Sequence, residues 1–320
     1  MTLAGSILVT GGSGSLGTAI IERAHDEGWD ARFTVYSRDE VKQSALRERF
    51  PDVIYRLGDI RDHGALARAM RGVDTVIHAA AYKRVPEAET ETIACAQSNV
   101  DGSIAVIDAA LTAHVRRVIG ISTDKACHPI NAYGMTKALM ERLFQSVALS
   151  QTATAFHLVR YGNVLASRGS VIPMLLDQAK RGKPVTLTDP KMTRFWLTLD
   201  DAVDLILSSL DAAPGEVVIP MAASAPMADI IRAVVPDAEV CIVGPRAAEK
   251  THESLMNADE SPYARAFGKG WAIGPMSLPP VRLYPEGFAY TSEHAPRIEA
   301  TELRWIMESM ARGDHPRTLS

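Results

Sequence analysis

A glycine-rich turn within the first seventeen residues constrains this chain's fold more than any other feature. Residues 6–10 form a short apolar run that reads as a buried strand. Gly11-Gly12-Ser13-Gly14-Ser15-Leu16-Gly17 follows, then a helical pattern to about Glu27, with Gly28 as its stop. Glycines at 11, 14 and 17 permit a tight turn and bring backbone close to a pyrophosphate at a helix N-terminus. This is the GxxGxxG form of the dinucleotide fingerprint. It sets Gly11, Ser13, Gly14, Ser15 and Leu16 against a cofactor.

The next strand, residues 32–36, ends where such a cofactor's adenosine ribose would lie, about twenty residues past the glycines. An acidic side chain there suits NAD. Here Ser37 and Arg38 occupy the place, with Lys42 one turn on, and a hydroxyl with a guanidinium suits the 2′-phosphate of NADP. The other reading leaves Arg38 in solvent and gives the ribose to Asp39. A third strand, residues 53–57, ends at Gly58-Asp59-Ile60, placing Asp59 and Ile60 at the adenine edge. A fourth, residues 73–78, ends at Ala79-Ala80-Ala81, where small side chains let a cofactor lie against Ala80. Lys83 beyond it either reaches a phosphate or the substrate, or stays in solvent. A long helix is expected over residues 87–113. Asn99 within it either orders the neighbouring strand or satisfies the core, since a buried amide needs partners.

The fifth strand, residues 118–121, runs into Ser122, Thr123, Asp124 and Lys125. Pro129 and Asn131 turn the chain, and a helix over residues 132–149 carries Tyr133 and Lys137 on one face. Of eight tyrosines, only Tyr133 has a lysine four residues on. An ammonium beside a phenol lowers its pKa and fits it to act as a base. A sixth strand over residues 155–160 ends at Tyr161-Gly162-Asn163-Val164. Strands and helices alternating in this way imply an α/β fold, a Rossmann-like doubly wound parallel sheet.

Beyond residue 164 the pattern is less regular. A helix through Lys180, short strands at 184–188, 216–220 and 239–243, and helices over 228–234 and from an Asp200 cap to Leu210 are expected. The chain is therefore read as a Rossmann region over 1–164, a smaller mixed region over 165–313 that partly returns to the core, and a frayed tail over 314–320.

Net charge is −4 without a long basic run, so neither nucleic acid nor an anionic membrane surface is an expected partner. No apolar run reaches the length of a membrane span. Cys95, Cys127 and Cys241 lie far apart, make no zinc spacing and form no disulfide framework, so no metal site is expected. A reducing cytoplasm fits this usage. Cys127 reads as a small filler.

Taken together these motifs resemble the extended short-chain dehydrogenase/reductase superfamily. Within it they are similar to the inverting UDP-N-acetylglucosamine 4,6-dehydratases of pseudaminic acid synthesis. The resemblance spans residues 7–307. It is most specific at Tyr36-Ser37-Arg38-Asp39-Glu40, His78-Ala79-Ala80-Ala81, residues 122–137, Arg160-Tyr161-Gly162-Asn163-Val164, residues 167–173, and Met192-Thr193-Arg194-Phe195-Trp196 with Asp189. Glu249-Lys250-Thr251-His252-Glu253 matches less closely. Two departures lie near the expected substrate region. Arg246-Ala247-Ala248-Glu249-Lys250 stands where the family has Arg-Pro-Gly-Glu-Lys, and Tyr82 stands where it has leucine.

The resemblance implies a UDP-sugar substrate, a tightly held NADP and a homo-oligomer. It implies that Tyr133, supported by Lys137, takes the proton from the sugar O4 while hydride leaves C4 for the nicotinamide. Lys125 then removes the C5 proton, Asp124 protonates the departing C6 oxygen, and hydride returns to C6. Lys125 must then be neutral, so its pKa is expected to fall well below the ordinary lysine value. Thr123 is placed at O4, and Asn163, Arg194, Arg246 and Glu249 at the uridine diphosphate, with Lys83 nearby. Two alternatives remain at this point: a nucleotide-sugar 4-epimerase or reductase needing only Tyr133 and Lys137, and a non-catalytic NADP-binding regulator.

Overall fold

The structure is a computed structural model that describes residues 2–151, 153–165 and 167–311. Residues 312–320, including the expected tail, lie outside it. Five strand–helix units come first. They are β1 (Gly5–Thr10) with α1 (Ser15–Asp26), β2 (Ala31–Ser37) with α2 (Glu40–Arg49), β3 (Ile54–Leu57) with α3 (His63–Ala69), β4 (Thr75–His78) with α4 (Val85–Thr90), α5 (Thr92–Ala96) and α6 (Gly102–Thr112), and β5 (Arg117–Thr123) with α7 (Ala132–Ser150). β6 (Ala155–Tyr161), the two-residue β7 (Asn163–Val164) and α8 (Val171–Lys180) follow.

The later chain supplies β8 (Val185–Leu187), β9 (Thr193–Leu197), α9 (Leu199–Ser208), β10 (Val217–Pro220), β11 (Ser224–Pro226) and α10 (Met227–Val234). It continues with β12 (Val240–Ile242), β13 (Ser254–Met256), β14 (Ala264–Phe267), β15 (Gly270–Ile273), β16 (Tyr290–Thr291) and α11 (Ala300–Ala311). The main sheet runs β14-β15-β10-β6-β5-β4-β1-β2-β3. From β10 to β3 every pairing is parallel, and β14 and β15 close one edge as an antiparallel hairpin. Strand order reverses between β1 and β4, the switch point at which doubly wound sheets bind ligands.

A second, smaller core holds Leu165, Leu175, Trp196, Met227 and Ile230. β9 is buried along its length and joins the two cores, because successive side chains point to opposite faces. Phe195 and Leu197 enter the large core and Trp196 the small one.

Two local expectations are corrected. The helix expected over 87–113 is broken into α4, α5, a π-helical turn at Gln97–Asp101 and α6. The Thr90 and Thr92 hydroxyls donate back to the Glu87, Ala88 and Glu89 carbonyls, a side-chain bond that competes with a continuous helix. α9 is capped by Thr198 rather than Asp200, through a capping box with Asp201.

Candidate active site

The glycine turn follows β1 at the switch point. Gly11 has φ +67°, and a Cβ there would stand 2.8 Å from the Ala80 backbone, so the loops after β1 and β4 meet only because that side chain is absent. The Ala80 N–H donates to Thr10 Oγ1 at 3.2 Å. No side chain caps the N-terminus of α1 at Gly14, which leaves that end open to an anion. Open glycine cradle and uncapped helix together fit the pyrophosphate of a nicotinamide dinucleotide.

Around the expected adenosine end, Ser13 Oγ and Ser37 Oγ lie 2.9 Å apart, and Gln43 Nε2 donates to Ser37 Oγ. Asp39 caps α2 by accepting from the Lys42 N–H, and its carboxylate also pairs with the Lys42 ammonium. Lys42, expected to face the cofactor, is therefore held by Asp39. Asp59 is bound by Arg61 through its backbone N–H and two guanidinium nitrogens, and by Arg38 at 3.4 Å. The Arg61 bonds, followed by the Arg38 charge, pull its carboxyl down to about 2. Ile60 is buried against Gly102. The Leu16 side chain packs on the large core. Ser15 Oγ accepts from the Arg168 N–H, Arg168 donates to the Ser13 carbonyl, and Lys83 Nζ donates to the Arg168 carbonyl. The loop after β7 is thus tied to the glycine turn.

The polar residues after β5 form the second half of the site. Ser122 and Thr123 are the strand's last two residues, paired with Arg160 and Tyr161 of β6. Asp124 and Lys125 begin a 3₁₀ turn. Asp124 is fully buried. Its Oδ1 accepts from Thr123 Oγ1 and from Lys125 Nζ, both at 3.0 Å, while its Oδ2 has no hydrogen-bond partner among the described residues. A Cβ on Gly162 would clash with Phe195 at 2.5 Å and approach Asp124 Oδ2 at 3.3 Å, so only glycine fits between them.

Gly134 lets α7 seat on this turn, since a Cβ there would lie 2.2 Å from the Lys125 carbonyl. Asn131 caps the helix through the Gly134 N–H. The seating brings the Tyr133 phenol within electrostatic reach of Thr123, Asp124 and Lys125. Asn99, aimed inward by the π turn, accepts from the Tyr82 N–H and donates to the Tyr82 carbonyl and Thr136 Oγ1. It joins the loop after β4 to α7 and is fully satisfied by protein groups.

Two electrostatic expectations are corrected. Burial pushes the Tyr133 phenol up to about 12, against the opposing pull of Lys125 and the Thr123 hydroxyl. Lys137 is buried, donates to Met140 Sδ at 3.0 Å, and is pushed down to about 8 by desolvation, so the cation acting on Tyr133 here is Lys125. Lys125 itself is raised rather than lowered. Desolvation pulls it down, but the Asp124 and Glu253 carboxylates together outweigh that effect.

The substrate residues expected from the later chain are partly assembled. Asn163 Oδ1 stands 3.5 Å from Lys125 Nζ. Arg194 is buried, and its guanidinium donates to the Thr193, Lys250 and Thr251 carbonyls, with Glu249 at 3.5 Å. It therefore anchors the 249–251 loop, and its donors are already engaged, contrary to the expected phosphate fork. Arg246 is exposed, and its N–H lies 3.4 Å from Glu249 Oε2. Cys127 is buried beside Glu260 and pushed up by desolvation, which disfavours its thiolate.

Two features were not foreseen. Arg160 sits fully buried between Glu141 and Glu260, with its closest contact to each at 2.7 Å. It also donates to the Leu255 carbonyl and so clamps β13 to the main sheet. Glu253 reaches Lys125 from the other side, Oε1 to Nζ 3.9 Å. Only its place in the Glu249–Glu253 motif pointed to it.

A doubly wound sheet with an open glycine cradle at its switch point, and a tyrosine and paired lysines beyond β5, defines the extended short-chain dehydrogenase/reductase class. Within that class the chain belongs to the family described as Polysaccharide biosynthesis protein, whose profile matches residues 7–274. It is 41% identical over 278 residues to a Campylobacter jejuni protein named UDP-N-acetylglucosamine 4,6-dehydratase (inverting), covering 84% of this chain and 83% of that one. It is 36% identical to a Rickettsia akari protein named UDP-glucose 4-epimerase, covering 94% and 95% of the two chains. Its fold is similar to the X-ray structure of Pen from Bacillus thuringiensis, with a TM-score of 0.88, 31% identity, and coverage of 96% and 98%.

Proposed function

We propose that this protein is a UDP-N-acetylglucosamine 4,6-dehydratase that inverts C5 and uses NADP. The observation that carries the reading is the Asp124–Lys125 contact of 3.0 Å beside Tyr133. Epimerisation at C4 needs one acid–base group, whereas loss of water across C5 and C6 needs a base for carbon and an acid for oxygen.

Tyr133, in its phenolate form, accepts the O4 proton. The nearby Lys125 ammonium opposes the desolvation that disfavours the phenolate. The nicotinamide, when bound, supplies reversible hydride exchange with the sugar. Lys125 as free amine takes the C5 proton, and Asp124 as acid delivers one to the C6 oxygen. A single proton passing from Lys125 Nζ to Asp124 Oδ1 creates both forms at once, without a proton from outside. Burial favours this neutral pair over two charges.

NADP is favoured because Asp39 is engaged by α2 and Lys42, while the Arg38 side chain stays 59% exposed beside Ser37. Asn163, Arg246 and Glu249 are assigned to the uridine diphosphate, within a substrate region built mainly from residues 165–313. The test is mass spectrometry of UDP-N-acetylglucosamine incubated with the protein. Loss of one water supports the reading, a product of unchanged mass makes it an epimerase, and unaltered substrate overturns it.

A further inference from the structure

Glu253 has no part in the acid–base chemistry described so far, yet it is among the most deeply buried carboxylates near that site. It is 3% exposed and immediately precedes β13. Its backbone is fixed on both sides, because its N–H donates to Ser292 Oγ and its carbonyl accepts the Ser292 N–H.

Its surroundings are strongly charged. Lys125 Nζ lies 3.9 Å from Oε1, and Lys250 Nζ lies 3.5 Å from Oε2. Lys250 spends its short contact elsewhere, donating to the Cys127 carbonyl at 2.7 Å. Glu253 Oε2 is left without a hydrogen bond, as is Asp124 Oδ2. Asp124 from the turn after β5 and Arg194 from β9 complete the set of charges acting on it. Two buried carboxylates thus share the Lys125 ammonium, and each keeps one oxygen without a hydrogen bond among the described residues. Such an arrangement is costly for a merely structural pair, because a buried polar atom without a partner loses its hydration for nothing.

We propose that Glu253 is a positioning residue for Lys125, holding its ammonium beside Asp124 in the resting site and governing how readily that ammonium gives up its proton. The proposal rests on the dehydratase reading, in which Lys125 must pass a proton to Asp124 before it can act on C5. With Glu253 ionised, Lys125 has two anionic neighbours and keeps its proton. When Glu253 is neutral, only Asp124 remains to hold the charge, and transfer across the 3.0 Å contact leaves no ion of this pair behind. Burial favours the neutral form of Glu253, and Lys125, Arg194 and Lys250 oppose it. The carboxyl stands raised, with burial the largest cause.

The experiment is a nuclear magnetic resonance titration of the Lys125 side chain in the whole protein labelled at lysine Cε, with Lys125→Met used to assign the signal. Glu253→Gln removes the charge and keeps the shape. Its Lys125 midpoint is expected to move to lower pH by about one unit or more, and Glu253→Asp is expected to restore it toward wild type. A midpoint in Glu253→Gln that is unchanged or higher overturns the proposal. Because no substrate is present, this readout stands apart from the dehydratase assay. Wild-type protein that leaves UDP-N-acetylglucosamine unaltered defeats the functional reading, whereas a fixed midpoint in an active enzyme defeats only the role of Glu253. In an active enzyme, the acid limb of the water-loss rate should move with the midpoint, which a general loss of packing would not produce.

Discussion

Lys137 offers a direct test of whether this site stores instability for the sake of chemistry. Its side chain is buried, and desolvation lowers it from the ordinary 10.5 to about 8. The folded value lies below the unfolded one, so between about pH 8 and 10.5 the unfolded chain binds more protons than the folded one. Stability therefore rises with pH across that window, and below it the burial of the ammonium is a constant penalty. At about 1.4 kcal/mol per unit, the displacement corresponds to roughly 3 kcal/mol at pH 7. Lys137→Met keeps an unbranched chain of similar length and removes the charge. Urea unfolding of cofactor-free protein should show the variant more stable than wild type at pH 7 by up to about 3 kcal/mol, with the gap narrowing at pH 10. A variant no more stable at pH 7, or a gap that ignores pH, would refute the reasoning.

Three further outcomes follow from the same geometry. Arg160→Ala leaves Glu141 and Glu260 buried without their cation and should cost roughly 3–5 kcal/mol in urea unfolding; a loss within the ordinary range of surface substitutions would contradict the clamp. Ala248 stands at φ +57°, so Ala248→Gly should stabilise by up to about 1 kcal/mol and Ala248→Val should destabilise, both read from thermal unfolding. Arg38→Ala should weaken NADP by about one to two decades relative to NAD in calorimetry on stripped protein, because a charge-assisted contact is worth roughly 1.5–3 kcal/mol; equal weakening of both cofactors would remove the basis for the NADP assignment.

The parts of this molecule that were legible in the sequence are those that backbone geometry dictates locally. Gly11 must be glycine because its φ is positive and Ala80 lies against it, so the turn announces itself. Tyr133 and Lys137 announce a shared helical face, and α7 forms where expected. Spacing alone does not say where a long side chain ends. Lys137 turns to Met140, and Lys125, eight residues before Tyr133 in sequence, becomes the cation acting on it.

Features built from distant segments were hidden. β11, β13 and β16 are two or three residues long, too short for an alternating pattern to register. The hairpin of β14 and β15 joins the sheet edge through β10, a pairing that no local signal specifies. The direction of the Lys125 shift rests on Asp124 beside it and on Glu253, which comes from the segment next to β13 that Arg160 holds. The π turn that aims Asn99 is likewise set by its partners at Tyr82 and Thr136 rather than by helix propensity.

The central claim is that Lys125 is the base at C5, and incubation of UDP-N-acetylglucosamine in deuterated water reads that atom directly. Wild-type protein should yield a product with one water lost and deuterium at C5, observed by nuclear magnetic resonance, with the configuration at C5 inverted. Lys125→Ala should leave C5 protonated and stop before water is lost. Deuterium entering C5 at the wild-type rate in Lys125→Ala would contradict the account.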